Sequence, residues 1–150
     1  MKYLRVVMLF VGLVLQSSLT FASGHVQVRD AWIPEAPPAV DVMAAYFEIE
    51  NTGSKPVTIT GFSCSAFGDV MMHKTVEKDG MSRMIHVDTL TVAAKSKLKF
   101  ERGALHLMLM MPKHSLRQGD KVALTMHTAD KQAIHFTAIV KAASLDNDGK

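Results

Sequence analysis

The feature that most constrains this chain is its punctuation. From Val26 onward, short runs of β-branched and apolar residues are broken repeatedly by turn residues, and no stretch shows the apolar spacing of a long helix. Val26–Ile33 alternates apolar with polar and is ended by Pro34–Pro38; Met43–Glu50 is closed by Asn51-Thr52-Gly53; Val57–Phe62 follows. Val70–Val76 and Ser82–Val87 flank Lys78-Asp79-Gly80, a hairpin turn signal. Leu90–Val92, Leu98–Phe100 and Ala104–Met111 come next, and Lys121–Thr128 with Ala133–Lys141 makes a final hairpin. Roughly eight to ten short strands predict an all-β fold, an antiparallel sandwich or small barrel with Greek-key connections.

The N-terminus has a different character. Lys2 and Arg5 precede the apolar run Val6–Leu15, and the small residues Ala22-Ser23-Gly24 follow, the pattern of a secretory signal peptide. The apolar run is shorter than the roughly 18 residues that a spanning helix needs. The expected division is a cleaved signal at 1–22, one β-domain at 23–141 and a flexible polar tail at 142–150. Removing Lys2 and Arg5 takes the formal charge from +3 to +1 (3 − 2), and no basic patch with interleaved aromatics appears, which argues against nucleic acid as a partner.

Cys64 is the single cysteine, so an exported domain of this sequence has no internal disulfide and depends on its core. Cys64 itself reads as a small buried residue, with a free thiol as the alternative. Methionine is abundant: of 11, seven lie between Met71 and Met111, and five of the seven histidines lie between His73 and His127. Thioether and imidazole concentrated in one region point to soft-metal chemistry.

On a strand over Ala104–Met111, His106, Met108 and Met110 share one face, while Leu105, Leu107, Leu109 and Met111 share the face that reads as core. In the earlier hairpin His73 and Met84 lie on paired strands within reach of a shared ion, with Met71 and Met81 nearby and Met72 turned away into packing. Cu(I) accepts neutral thioether sulfur that Zn(II), Mg(II) and Ca(II) reject, and neutral donors let the ion leave by exchange. Asp and Glu do not cluster with these residues, which argues against calcium or magnesium.

The order His, ten residues, Met, twenty-one residues, His, one residue, Met is met by His73, Met84, His106 and Met108. With Val70-Met71-Met72-His73-Lys74-Thr75, Gly80-Met81-Ser82-Arg83-Met84, Gly103-Ala104-Leu105-His106-Leu107-Met108-Leu109-Met110 and the Gly119-Asp120-Lys121-Val122 turn, the chain resembles the periplasmic copper chaperone family PCu(A)C over nearly all of its mature length. Leu105 and the Lys95–Lys97 stretch depart from that family's glycine-rich approach to the last motif strand. The resemblance implies a cupredoxin-like Greek-key barrel with an exposed Cu(I) site on His73, Met84, His106 and Met108. It also implies a periplasmic, non-enzymatic role: delivery of copper to an acceptor, such as a cytochrome oxidase subunit in copper-centre assembly or another copper chaperone. Some relatives act more generally in copper resistance or storage.

An electron-transfer cupredoxin is the nearest alternative, but it needs a cysteine thiolate beside histidine, and Cys64 has no histidine close after it. No carboxylate dyad or Ser-His-Asp arrangement is readable. His86 shares a face with Met84 by alternation, and either borders the site or stands outside it. His114 and His127 read as surface residues, Trp32 as core or a barrel-end plug, and Lys95, Lys97 and Lys99 as a solvated strand face. Cleavage after Ala22 would begin the chain Ser23-Gly24-His25, whose amine, amides and imidazole can wrap a square-planar Cu(II) ion; otherwise His25 simply opens the first strand.

Overall fold

A computed structural model describes residues 25–37 and 39–142. The signal, its cleavage point, Ser23 and Gly24 of the N-terminal Cu(II) motif and nearly all of the expected tail lie outside the described residues. The described residues form ten strands: β1 (Val26–Pro34), β2 (Val42–Asn51), β3 (Val57–Ser63), β4 (Phe67–Lys78), β5 (Met81–His86), β6 (Leu90–Val92), β7 (Ser96–Phe100), β8 (Leu105–Pro112), β9 (Lys121–Thr128) and β10 (Ala133–Lys141). Among the described residues no helix is long and apolar enough to cross a membrane. The all-β expectation holds, and every expected strand is found within a few residues of its expected ends. The largest difference is β4, which starts at Phe67 because Phe67 pairs with Pro112 at the far end of β8.

The strands follow the order β5-β4-β8-β2-β1-β10-β9-β3-β6, with β7 also on β2. β2 pairs with β1 along one edge and divides its other edge between two strands: Val42–Ala45 pair with β8, and Phe47–Asn51 pair with β7. One pairing corrects the antiparallel expectation. β1 runs parallel to β10, through Trp32↔Ile139 to Pro34↔Lys141. These are the first and last strands, so no short turn forces them antiparallel.

Period-two burial builds the core. Met43, Ala45, Phe47 and Ile49 of β2 face inward, as do Val122, Leu124 and Met126 of β9. The sheet curls on itself: Phe47 stacks on Phe100 at 4.3 Å and also meets Phe62 of β3 at 5.5 Å, although β2 and β3 are well separated in strand order. Asn51, at 1% exposure, pins the end of β2. Its Nδ2 faces the carbonyls of Lys55, Val92 and Ala93 at 2.8–3.2 Å, and its Oδ1 accepts from Gly53 N at 2.9 Å.

Two side chains, Met111 and Cys64, depart from the sequence reading, and a third, Trp32, takes one of its two expected places. Met111, placed with the leucines on the core face of its strand, is 58% exposed. Its φ of 53° breaks the alternation, and its N–H bonds Asp41 O at 2.8 Å. Cys64 is half-buried rather than buried, with Sγ donating to Ala123 O at 3.2 Å. Trp32 is half-buried, tilted on Tyr46 with Arg102 and Lys141 over its ring, which suits an end plug more than a core residue. The lysine run is solvated as expected, Lys97 pairing with Glu48 at 2.6 Å. His25 is exposed, and its carbonyl accepts from Thr52 N at 2.7 Å as the chain enters β1.

Candidate metal centre

The site is built on three neighbouring strands at one edge of the sheet, β5-β4-β8. Asp79 and Gly80 both have positive φ, 56° and 72°, so a two-residue turn joins β4 to β5 and pairs Lys78 with Met81. Such a turn matches strand twist and fixes register. Counting five steps out along both strands reaches His73 opposite His86. On its other side β4 pairs with β8, setting His73 opposite His106 and Met71 opposite Met108. Asp69 opposes Met110 further along the same face.

Three imidazoles therefore form a row across three strands. The His73 and His106 rings lie 6.2 Å apart at 25°, and His73 and His86 lie 5.4 Å apart at 70°. Exposure rises toward the sheet edge: His106 is buried at 8%, His73 is half-buried and His86 is exposed. β5 is covered by one neighbour only, and all six of its residues are exposed, Met84 to 61%. The core face of β8 is as expected: Leu105, Leu107 and Leu109 are buried, with Met72 of β4 beside Leu107.

The nitrogen chemistry suits metal ligation. His106 Nδ1 lies 3.1 Å from Ala104 O, which can only accept. In the neutral ring Nδ1 therefore carries the proton and Nε2 keeps a lone pair. His73 Nδ1 is buried without any hydrogen-bond partner, a costly state for a polar atom unless something else fills its valence. Burial, then the facing His86, then His106 hold the His73 pKa below the usual 6.5, so the ring is neutral and able to donate a lone pair at neutral pH. Among the described residues no three His, Cys, Asp or Glu side chains converge in a metal-holding geometry, so a tight site here needs thioether sulfur or a movement of side chains.

The four expected ligands all lie on this face, unequally close. His73 and His106 are direct partners, and Met108 follows His106 by two residues on β8. Met84 pairs with Thr75, one face-step along from His73 and on the opposite flank from Met108. Two neighbours were underweighted by sequence reasoning. Met71 is the direct partner of Met108, and His86, not Met84, is the direct partner of His73. The turn signal at Asp79-Gly80 could have given the second pairing by counting. The two expected surface histidines are elsewhere: His127 bonds Ser63 Oγ at 2.8 Å and His114 is exposed; His135, to which the sequence assigns no role, bonds Thr125 Oγ1 at 2.9 Å.

Fold and site together define a curled all-β domain that gathers imidazole and thioether donors on three edge strands. The chain belongs to the LpqE-like family, described as "Putative lipoprotein LpqE-like", whose family model matches residues 26–140 and which corresponds to PCu(A)C. Membership places it among secreted or cell-envelope proteins. It is 32% identical to Lxx21020 of Leifsonia xyli subsp. xyli over 124 residues, 82% of this chain and 74% of that one. Its fold matches the solution structure of apo-DR1885 from Deinococcus radiodurans with a TM-score of 0.64 and 29% identity, covering 81% of each chain. The Cu(I) form of DR1885 matches at 0.62 with 29% identity over 76% of each. The copper-bound PCuAC domain of PmoF2 matches at 0.67 over 81% of this chain and 97% of that one; at 16% identity it speaks to the fold alone. The fold is thus cupredoxin-like.

Proposed function

We propose that this protein is a periplasmic Cu(I) carrier that holds one ion on His73, Met84, His106 and Met108 and passes it to a copper-requiring acceptor, in the assembly of a cytochrome oxidase copper centre. The observation that carries the reading is the His73–His106 pair, in register across β4 and β8, with His73 Nδ1 buried and unpartnered. Met108 supplies sulfur from the same strand as His106, and Met84 closes the site from the exposed edge strand. The Cu(I)-bound form of DR1885, 29% identical to this chain, supports copper(I) as the cargo.

Carriage rather than catalysis follows from the donors. Four neutral ligands hold a soft monovalent ion without concentrating negative charge. Met84, exposed and on an edge strand, is the ligand an acceptor's donor can displace first, so transfer proceeds by stepwise exchange. An electron-transfer role needs a thiolate at the histidines, whereas Cys64 is engaged with Ala123 on β9, away from β4 and β8 in strand order. Anaerobic Cu(I) titration against a competing chelator tests the reading: one ion per chain is expected, with binding weakened in His73→Ala and in Met108→Ala. Unaltered affinity in both variants sinks it.

A further inference from the structure

The site face carries one imidazole more than the Cu(I) set uses. His86 is the direct cross-strand partner of His73, as close to it in ring position as His106 is, and exposed on a strand covered from one side only. We infer that His86 joins His73 and His106 as a three-imidazole set for Cu(II), at the same place where His73 and His106 hold Cu(I). The site then accepts copper in either oxidation state by exchanging thioether for imidazole. This inference rests on the Cu(I) reading, because the two sets share two ligands.

The chemistry separates the two sets. Cu(II) favours nitrogen donors in a tetragonal arrangement and gains little from thioether sulfur, whereas Cu(I) is content with two sulfurs and two nitrogens. The geometry permits the sharing. An imidazole nitrogen about 2.0 Å from an ion puts its ring centre about 3.2 Å away, so two rings on one ion have centres at most about 6.4 Å apart. Both separations that His73 makes, 5.4 and 6.2 Å, fall inside that limit, and His86 and His106, standing on either side of His73, meet it on one ion by turning inward over β4. The rings do not converge as they stand: His86 and His73 are edge to face, and His86 Nε2 is 3.2 Å from Asp88 Oδ1. Turning His86 off Asp88 costs little, because the carboxylate is almost fully solvated and such exposed pairs are weak. The turn also offers the empty valence at His73 Nδ1 a metal ion held from both sides. No electron transfer is involved; each ion binds in the oxidation state in which it is supplied.

The test is a pair of titrations on the chain carrying His25→Ala, so that the N-terminal imidazole cannot supply the signal. Cu(II) is added in air and read by competition and by the nitrogen hyperfine pattern of its electron paramagnetic resonance spectrum; Cu(I) is added anaerobically against a chelator. His86→Ala should lower Cu(II) affinity about tenfold or more beyond any change in Cu(I) affinity, the lower bound for losing even a supporting contact. The coupled imidazole nitrogens should fall by one. An unchanged Cu(II) spectrum and affinity in His86→Ala overturns the inference and leaves the Cu(I) reading standing. Equal loss for both ions also overturns it, making His86 an ordinary member of one site. If His73→Ala and His106→Ala keep full Cu(I) affinity, the underlying reading fails instead, and that outcome is distinct from the other two.

Discussion

His73 lies directly opposite His106 across the β4–β8 ladder, ring centres 6.2 Å apart and planes 25° from parallel, with His73 Nδ1 buried and unpartnered. Two neutral imidazoles so placed can share an ion, while two charged ones would repel. The protonation of His73 therefore governs both the empty site and the loaded one.

In the metal-free protein His73 should titrate below 6.5, because burial and the two facing imidazoles disfavour its charged form. The unfolded chain then takes up this proton at higher pH than the folded one, so the His73 contribution to stability is intact above 6.5 and is lost as pH falls toward the folded value. Cu(I) affinity should likewise persist just below 6.5 and decline in more acidic solution. Nuclear magnetic resonance titration of the ring, with chelator competition at several pH values, reads both. A His73 pKa above 6.5 contradicts the burial argument.

Adjacent residues on opposite faces of β8 should separate binding from stability. Met108→Ala is expected to weaken Cu(I) about tenfold or more and to destabilise by only about 1 kcal/mol. Leu107 is wholly buried, so Leu107→Ala should cost about 2–5 kcal/mol while the folded fraction keeps its copper affinity. Urea unfolding and chelator competition on the two variants check the contrast; matching profiles would mean the faces are misassigned.

Met84→Ala should weaken Cu(I) with almost no loss of stability, within about 0.5 kcal/mol, because the side chain is 61% exposed on an edge strand. Faster Cu(I) transfer to a competing chelator is also expected, since Met84 is the outermost ligand. A stopped-flow measurement showing slower release would reverse the proposed order of exchange.

Gly80→Val tests whether the turn sets the site. Gly80 sits at φ 72°, where a β-branched residue is strained by about 1–2 kcal/mol. The cost should fall on the β4–β5 hairpin, seen as faster hydrogen exchange of β5 amides and weaker Cu(I) binding, with β8 and β9 protected as before. Uniformly raised exchange would show that the hairpin is not a separable unit.

Asn51→Leu should destabilise by about 2–3 kcal/mol, because the carbonyls of Lys55, Val92 and Ala93 lose their donor where replacement by water is hindered. Copper affinity should be unaffected, since Asn51 ends β2 where it pairs with β7, not with β8. Denaturant midpoints and Cu(I) competition decide it.

Alternation and turn chemistry in the sequence determined the strands, the all-β class, the core face of Leu105, Leu107 and Leu109, and the shared face of His106 and Met108. These are local properties: side chains alternate along any strand, and Asp79-Gly80 demands left-handed backbone wherever it occurs. Spacing alone also brought His73 and Met84 into the candidate set, though it could not rank their distances. Only the tertiary structure decided what stands beside what. The β4–β8 pairing joins residues more than thirty positions apart, and no turn links those strands to announce the register that sets His73 against His106 and Met71 against Met108. The exposure gradient from His106 to His86 likewise depends on which strand is the sheet edge. Met111 turned outward because a positive φ interrupted the alternation. The parallel β1–β10 pair joined the first and last strands of the described residues, a contact that no local pattern encodes.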